Sequence, residues 1–378
     1  MIPYSHQSIG DDDVEAVFGV FKSDWLTQGP EVREFEEALA KYTGAEYAVV
    51  FSNGTAALEA AYFAADLKKD DEVITTSLTF AATANAALWQ GAKVVFADIE
   101  ADSGNIDPNE VEKKITPKTK AIVPVDYSGL PVRLDELKAL AEKHKLLLIE
   151  DAAHALGAEY LSTGSRQVKK VGSIADMTML SFHPVKSIAT GEGGAILTGR
   201  KDFYEKLLLY RGHGITKDNL TKKPEGDWYY EMQALAHNYR MTDIQAALGV
   251  SQLKKLDKFI EARKKIAVRY GEAFAGNKNL ILPKEYEGAS SSWHLYPLRL
   301  KDAGKRAEIF KKLRDAGIGV QVHYIPVYLH PYYQKLGYKA GLCPKAEVFY
   351  ESEISIPIFP DLTEKDQDFV IQKVNELT

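Results

Sequence analysis

Three side chains near the middle of the chain are of types that do chemistry together: Lys186, Asp151 and His154. Lys186 lies in TMLSFHPVKSIATGEGG (178–194), four residues past an apolar run, Thr178 to Phe182, that reads as a short buried strand. Pro184 and Gly191 interrupt any regular element after that run, so the lysine is expected on a loop at a strand end. Upstream, LLLIEDAAHALGAEY (146–160) repeats the design, with Leu146 to Ile149 delivering Asp151 and His154 to the same kind of edge. In open α/β sheets the ligand crevice lies outside the carboxyl ends of the strands, so Asp151 and Lys186 can converge there despite their separation in sequence.

A lysine and an aspartate in one crevice match what pyridoxal phosphate asks of a protein: an amine for a Schiff base, a carboxylate that keeps the pyridine nitrogen protonated, and donors for the phosphate. The carboxylate makes the ring an electron sink, and the amine, once released, can carry protons. Donors for phosphate are offered by FSNGTAALEAA (51–61), where a strand end is followed by Gly54 and then a helix. Free backbone N–H groups at such a start bind anions, Gly54 allows close approach, and Thr55 adds a hydroxyl. Each feature also has an ordinary reading. A Ser-Asn-Gly-Thr turn caps many helices, Asp151 could cap the helix after its strand, and Glu150 offers a competing carboxylate.

Three segments carry a resemblance: EDAAHALG (150–157), SFHPVKSIATGEGGA (181–195) and HNYRMTDIQAALG (237–249). They resemble the signature segments of the DegT/DnrJ/EryC1/StrS sugar-nucleotide aminotransferases, fold-type-I pyridoxal phosphate enzymes, and the similarity runs from Tyr4 to the C-terminal helices. The resemblance implies that Lys186 forms the Schiff base and moves the proton, while Asp151, favoured over Glu150 by strand alternation and family register, holds the ring nitrogen. It implies that Phe80 stacks on the ring and that His154 meets the ring-hydroxyl side, where relatives often carry glutamine. Without it, Phe80 would be core and His154 a structural histidine. Ser181 and Asn238 join Gly54 and Thr55 as phosphate contacts; Asn238 matches a position that reaches the neighbouring subunit's site, which implies a homodimer with shared active sites. The sugar-nucleotide pocket would be lined by Tyr4, Asp24, Trp25, Leu26, Thr27, Asn53, His183, Val322, His323, Tyr324 and Ile325. An ordinary strand over 321–328, with His323 on a satisfied face, is the alternative for the last four.

Within the family, WLTQG (25–29), VDYSG (125–129), SSSWHLYP (290–297) and QVHYIPVY (321–328) most resemble the UDP-sugar 4-aminotransferases of pseudaminic acid biosynthesis. That implies transfer of an amino group from L-glutamate to a UDP-linked 4-keto-6-deoxy-N-acetyl sugar in two half-reactions. The bacillosamine-route and GDP-perosamine aminotransferases are the runners-up. Related sugar dehydratases carry histidine where this chain has Lys186, which argues against them. A non-catalytic binding protein is disfavoured by intact candidates at every catalytic position, and a nicotinamide enzyme by the lack of G-x-G-x-x-G in FSNGTAAL.

The elements that must position these residues are set by the pattern of the chain. Runs at 48–51, 72–76, 93–98, 121–125, 146–150, 178–182 and 195–198 alternate with helical stretches, which predicts an α/β fold with a mostly parallel central sheet. Residues 11–22 predict an amphipathic helix with Val14, Val17 and Phe21 inward. Thr242 with Gln245 forms a capping-box pattern that opens one long helix carrying Val250, Leu253, Leu256 and Ile260 on one side. The domain change is placed there, giving a large cofactor-binding domain over 1–245 and a smaller α+β domain over 246–378. Residues 211–230, polar and aperiodic, suggest a flap over the site.

Composition sets the outer bounds. With 45% hydrophobic residues across 378 positions the chain can build a sizeable core, and a net charge of −6 offers no basic field for nucleic acid. A single cysteine, Cys343, excludes an internal disulfide and a cysteine-cluster metal site, in keeping with a reducing cytoplasm. The N-terminal stretch lacks a leader pattern, and no apolar run approaches the roughly eighteen residues of a membrane span, so no membrane partner is expected.

Overall fold

The computed structural model describes residues 1–162 and 166–378. Its centre is a seven-stranded sheet in the spatial order Tyr47–Phe51, Gly194–Thr198, Met177–Ser181, Leu147–Asp151, Thr119–Val123, Glu72–Thr76, Lys93–Ala97. Gly194–Thr198 runs antiparallel to both neighbours and the other six strands share one direction. The strands are short apolar runs buried on both faces, as a sheet covered by helices on each side requires. Each predicted strand is present within one or two residues of its expected ends. Because six strands point the same way, Phe51, Thr76, Asp151 and Ser181 all end on one edge, and Gly194 begins there on the reversed strand.

Helix Gly54–Ala64 crosses directly beneath this edge, and eight of its eleven residues are buried. Ala56, Ala57, Ala60, Ala61 and Ala64 present little bulk, which lets the helix lie close against the sheet. A separate core gathers Ile266, Tyr270 and Phe274 of helix Leu256–Phe274 with strands Tyr296–Leu300 and Glu353–Ile356 and helices Arg306–Asp315 and Glu364–Leu377. The N-terminal segment joins this region, Ile2 bridging to Ile318 and the Tyr4 carbonyl accepting from Ile358 N–H.

Two expectations are corrected. The first helix, Asp11–Phe21, turns a different face inward: Val14 is 59% exposed, Phe18 56% and Phe21 59%, while Asp13 is fully buried. Its carboxylate accepts from Gly10 N–H (2.9 Å), Ser251 Oγ (2.6 Å) and Gln252 Nε2 (2.8 Å) and pairs with Lys255. Four such partners satisfy a buried charge and fix the helix rotation against the apolar pattern. The long helix predicted from Thr242 is two, Asp243–Leu253 and Leu256–Phe274, interrupted at Lys254 and Lys255, where Lys255 turns to Asp12 and Asp13. The capping box at its start forms as read, Gln245 N–H donating to Thr242 Oγ1 (3.3 Å) and Thr242 N–H to Gln245 Oε1 (3.0 Å). Val250, Leu253, Leu256 and Ile260 are buried together with Leu39 and Phe182. No helix among the described residues is long and apolar enough to cross a membrane.

Candidate active site

Lys186 sits on the loop that joins two antiparallel neighbours, and Ser181 and Gly194 face each other where the loop leaves the sheet. Within it Phe182 N–H donates to Gly193 O (2.9 Å), Thr190 N–H to Phe182 O (2.9 Å) and Lys186 N–H to His183 O (2.8 Å). From outside, Ser5 Oγ donates to Val185 O (3.0 Å). The Lys186 side chain is half-buried in area, yet desolvation is the largest influence on its ammonium and lowers its pKa to about 8. The Asp151 carboxylate acts in the opposite sense.

Asp151 ends its strand with both oxygens engaged. Thr83 Oγ1 donates to Oδ2 (2.7 Å) and Ala153 N–H to Oδ1 (3.2 Å). Burial raises its pKa, and these donors together with Lys186 oppose the rise. Glu150 lies on the opposite face of the strand, where Thr178 Oγ1 donates to its Oε2 (2.7 Å) and Asp126 is its neighbour. Burial lifts Glu150 to about 7; burial first, then the Glu150 charge, pushes Asp126 well above the carboxylate range. Of the two adjacent carboxylates, Asp151 alone is electrostatically coupled to Lys186.

Around this pair stands a group of rings. His154, buried, shares a hydrogen bond between its Nε2 and Tyr324 Oη (3.0 Å), and its ring lies 4.4 Å from that of His294. Its Nδ1 has no hydrogen-bond partner among the described residues. His323 lies 5.7 Å from the Tyr4 ring, and Phe80 lies 6.4 Å from the Tyr324 ring, centroid to centroid. Phe80 is 64% exposed, so it is not core. Burial, followed by the charge of Lys186, depresses the pKa of His154 well below that of a free imidazole and that of His323 to about 3. Both rings are neutral at any ordinary pH.

The turn at residues 52–55 meets the same edge. Asn53 caps helix Gly54–Ala64, its Oδ1 accepting from Ala56 N–H (2.8 Å), which commits that oxygen to the helix. A Cβ on Gly54 would come within 3.3 Å of Ser181 Cβ and 3.4 Å of its Oγ, so the gap between helix start and strand end exists because residue 54 is glycine. A Cβ on Gly194 would come 2.7 Å from the Asn53 backbone. Glycine at both positions lets the two chain segments touch.

Other expected residues lie on the segments that border this edge. Asp24, Trp25, Leu26 and Thr27 are exposed and tied to the start of helix Asp243–Leu253: Thr27 bridges to Thr242 and Leu26 O accepts from Asp243 N–H (3.0 Å). Asn238 is exposed on a segment bridged to Gly212, next to Tyr239, whose carbonyl accepts from Ser52 N–H (2.8 Å) in the turn before Gly54, and His183 is exposed within the lysine loop. Val322 and Ile325 flank His323 and Tyr324, half-buried and exposed respectively. Within the suggested flap Ile215–Thr216 pairs with Glu231–Met232, just past its end, and the Glu231 side chain accepts from Thr221 and Lys222 N–H. Several contributors escaped the sequence reading: Thr83 behind Asp151, His294 beside His154, and the pair Glu353 and Ser355 behind His323. Only a spatial neighbour reveals such residues, because none sits in a strand-end motif.

A lysine and a carboxylate meeting at one edge of a mostly parallel sheet with a single reversed strand define a fold-type-I transferase. The chain belongs to the DegT/DnrJ/EryC1/StrS aminotransferase family, whose model matches residues 7–375. It is 44% identical to the UDP-4-amino-4,6-dideoxy-N-acetyl-beta-L-altrosamine transaminase of Campylobacter jejuni subsp. jejuni serotype O:23/36 (strain 81-176) over 98% of this chain and 96% of that one. Among solved structures it is similar to Helicobacter pylori PseC, an aminotransferase involved in the biosynthesis of pseudoaminic acid, with a TM-score of 0.91 and 36% identity over 100% of this chain and 98% of that one. It is also similar to the PMP form of the putative sugar aminotransferase Spr1654 from Streptococcus pneumoniae, with a TM-score of 0.93 and 33% identity over 100% and 99%.

Proposed function

We propose that this protein is a pyridoxal phosphate-dependent aminotransferase that moves an amino group from L-glutamate to the 4-keto carbon of a UDP-linked 4-keto-6-deoxy-N-acetyl sugar, in pseudaminic acid biosynthesis. The observation that carries the reading is the desolvated Lys186 amine beside the buried, doubly hydrogen-bonded Asp151 carboxylate. The residues present fit the cofactor. The notch at Gly54 that any Cβ would fill lies between Ser181 and a helix start whose first N–H groups have no helical partner, which suits a phosphate.

Bound there, pyridoxal phosphate supplies an electrophilic carbon for the amine and an electron sink for the adjacent carbanion. The chain does the rest. Lys186, its pKa lowered to about 8, would be the residue that holds the cofactor's reactive carbon and the base that carries the proton. Asp151 keeps a proton on the ring nitrogen, with Thr83 and Ala153 holding its two oxygens in place. Gly54, Thr55 and Ser181 would hold the phosphate, joined by Asn238 from a second copy, and Phe80 and His154 would hold the ring. The sugar nucleotide would be met by Tyr4, residues 24–27, Asn53, His183, Val322, His323, Tyr324 and Ile325.

A homodimer is part of this reading. It is supported by the exposed apolar side chains Val14, Phe18, Phe21, Trp25 and Leu26, which follow one another along the first helix and the loop after it. A division into a larger cofactor-binding unit, 1–245, and a smaller one, 246–378, belongs to it as well. We place the enzyme in the cytoplasm, in keeping with the single buried thiol of Cys343.

The test is optical. Treating the cofactor-loaded protein with L-glutamate should discharge the absorbance of the lysine-bound cofactor, and UDP-4-keto-6-deoxy-L-AltNAc should restore it faster than D-sugar isomers. Faster return with a D-isomer reassigns the sugar, and no discharge by glutamate overturns the donor. Lys186→Ala should lose turnover by at least about 10³-fold, and a variant that retained it would remove the central assignment.

A further inference from the structure

Behind His323 lies a chain of hydrogen bonds that ends on a buried acid. His323 Nδ1 shares one with Ser355 Oγ (2.8 Å), and Ser355 Oγ shares the next with Glu353 Oε1 (2.5 Å). The other oxygen, Glu353 Oε2, accepts from His323 backbone N–H (2.8 Å). The His323 carbonyl accepts from Tyr127 Oη (2.6 Å), and Gln321 pairs with Ser355 through both backbone hydrogen bonds. The ring is therefore gripped on its Nδ1 side and through its own backbone. Nε2 has no hydrogen-bond partner among the described residues, and it points away from the Ser355 contact of a ring that packs against Tyr4 and Tyr324.

A serine hydroxyl has one proton to give, so it cannot donate in both directions at once. When Glu353 is ionised, Ser355 must donate to it, and Ser355 Oγ can then only accept from His323; the ring proton sits on Nδ1. When Glu353 carries a proton on Oε1, it donates to Ser355, Ser355 donates to Nδ1, and the ring proton sits on Nε2. We propose that Glu353 and Ser355 are positioning residues that set the tautomer of His323, so that Nε2 offers the site an N–H when Glu353 is protonated and a bare lone pair when it is ionised. The protons balance. On ionisation the Nε2 proton leaves to solvent, the Ser355 proton passes to Nδ1, and the Glu353 proton passes to Ser355. In the first state His323 can donate to a carbonyl, carboxylate or phosphate oxygen, and in the second it accepts from a hydroxyl or amide. This deepens the proposed function, because it rests on His323 facing the substrate.

Burial raises Glu353 to about 8, which puts the exchange in a measurable window. The groups facing the relay are accounted for. His154 and His294 are held neutral by burial, burial raises Tyr4, Tyr127 and Tyr324 so that they keep their protons, and the guanidiniums of Arg299 and Arg306 lie beside Glu353. Lys186, whose charge acts on His323, is the one group among them that titrates in the same window, at about 8. Variants must therefore separate its effect from that of Glu353.

The experiment is a two-bond proton–nitrogen correlation spectrum of the cofactor-loaded protein with ¹⁵N-histidine, His323 being assigned by its loss in His323→Asn. Wild type should show Nε2 protonated at about pH 6 and Nδ1 protonated at about pH 10. In Glu353→Gln the amide oxygen must stay on His323 N–H, so its NH₂ faces Ser355 and the ring should remain Nε2-protonated throughout. Ser355→Ala should abolish the exchange, and Ser355→Thr, which returns the hydroxyl, should restore it. Lys186 is intact in all three variants. A single tautomer across the range in wild type, or variants that behave as wild type, overturns the proposal. A tautomer exchange without glutamate-dependent discharge would leave the relay standing and overturn the proposed donor instead.

Discussion

Lys186 and Asp151 are a cation and an anion that both sit where water is scarce, and each offsets part of the other's burial. The support behind Asp151 has a definite size. Replacing Thr83 by valine removes a 2.7 Å donor from a buried carboxylate, so stability should fall by about 1–3 kcal/mol and the cofactor should dissociate more readily. Thermal melts with and without added cofactor would show both effects. The buried acids give a further test. Glu150 and Glu353, at about 7 and about 8, hold their protons in the fold over a range where the unfolded chain, near 4.5, has lost them. Their contribution to stability is therefore complete below about pH 4.5 and declines as pH rises through about 7 and then about 8. Denaturant midpoints should drop between about pH 5 and about pH 9, and Glu150→Gln should flatten part of that slope. A slope unchanged by the substitution would show that Glu150 is already ionised in the fold.

At the scale of elements, two glycines make opposite predictions. Gly194→Ala would press a methyl to 2.7 Å from the Asn53 backbone, which cannot yield easily, and should destabilise the fold by about 1–3 kcal/mol. Gly54→Ala meets only tight side-chain contacts with Ser181 and should fold, while cofactor affinity measured by equilibrium dialysis falls because the methyl occupies the notch. These elements were legible in the sequence for a physical reason. Strands buried on both faces need unbroken apolar runs, and a strand-end motif announces itself by the turn residues next to it. What failed was rotation and continuity. The first helix shows an apolar stripe at Val14, Val17 and Phe21, and nothing in its sequence says that Asp13 finds partners in Ser251, Gln252 and Lys255. In the site, Lys186, Asp151 and Gly54 could be read from their neighbours in sequence. Ser355 and Glu353 could not, because EISI reads only as a strand and its chemistry comes from a distant histidine.

For the whole molecule, the exposed row on the first helix raises the question of what covers it. If a second copy covers that row, Phe18→Glu with Phe21→Glu should give a monomer by sedimentation velocity, with a folded circular dichroism spectrum and weaker cofactor retention. A dimer that survives the double substitution would place the interface elsewhere. The lysine loop, finally, behaves as a hoop with both feet nailed down, since Ser181 and Gly194 are fixed opposite each other by their strand pairing. A hoop of that kind tolerates changes of material but not of circumference: one added residue must bulge somewhere, and the bulge carries Lys186 with it. In an insertional scan, single-residue insertions between Phe182 and Gly193 should be almost uniformly lost, whereas those at 223–225, on an exposed stretch outside any helix or strand, should survive. Around the fixed identities of Lys186 and Gly193, length is what this stretch of the gene is constrained to keep.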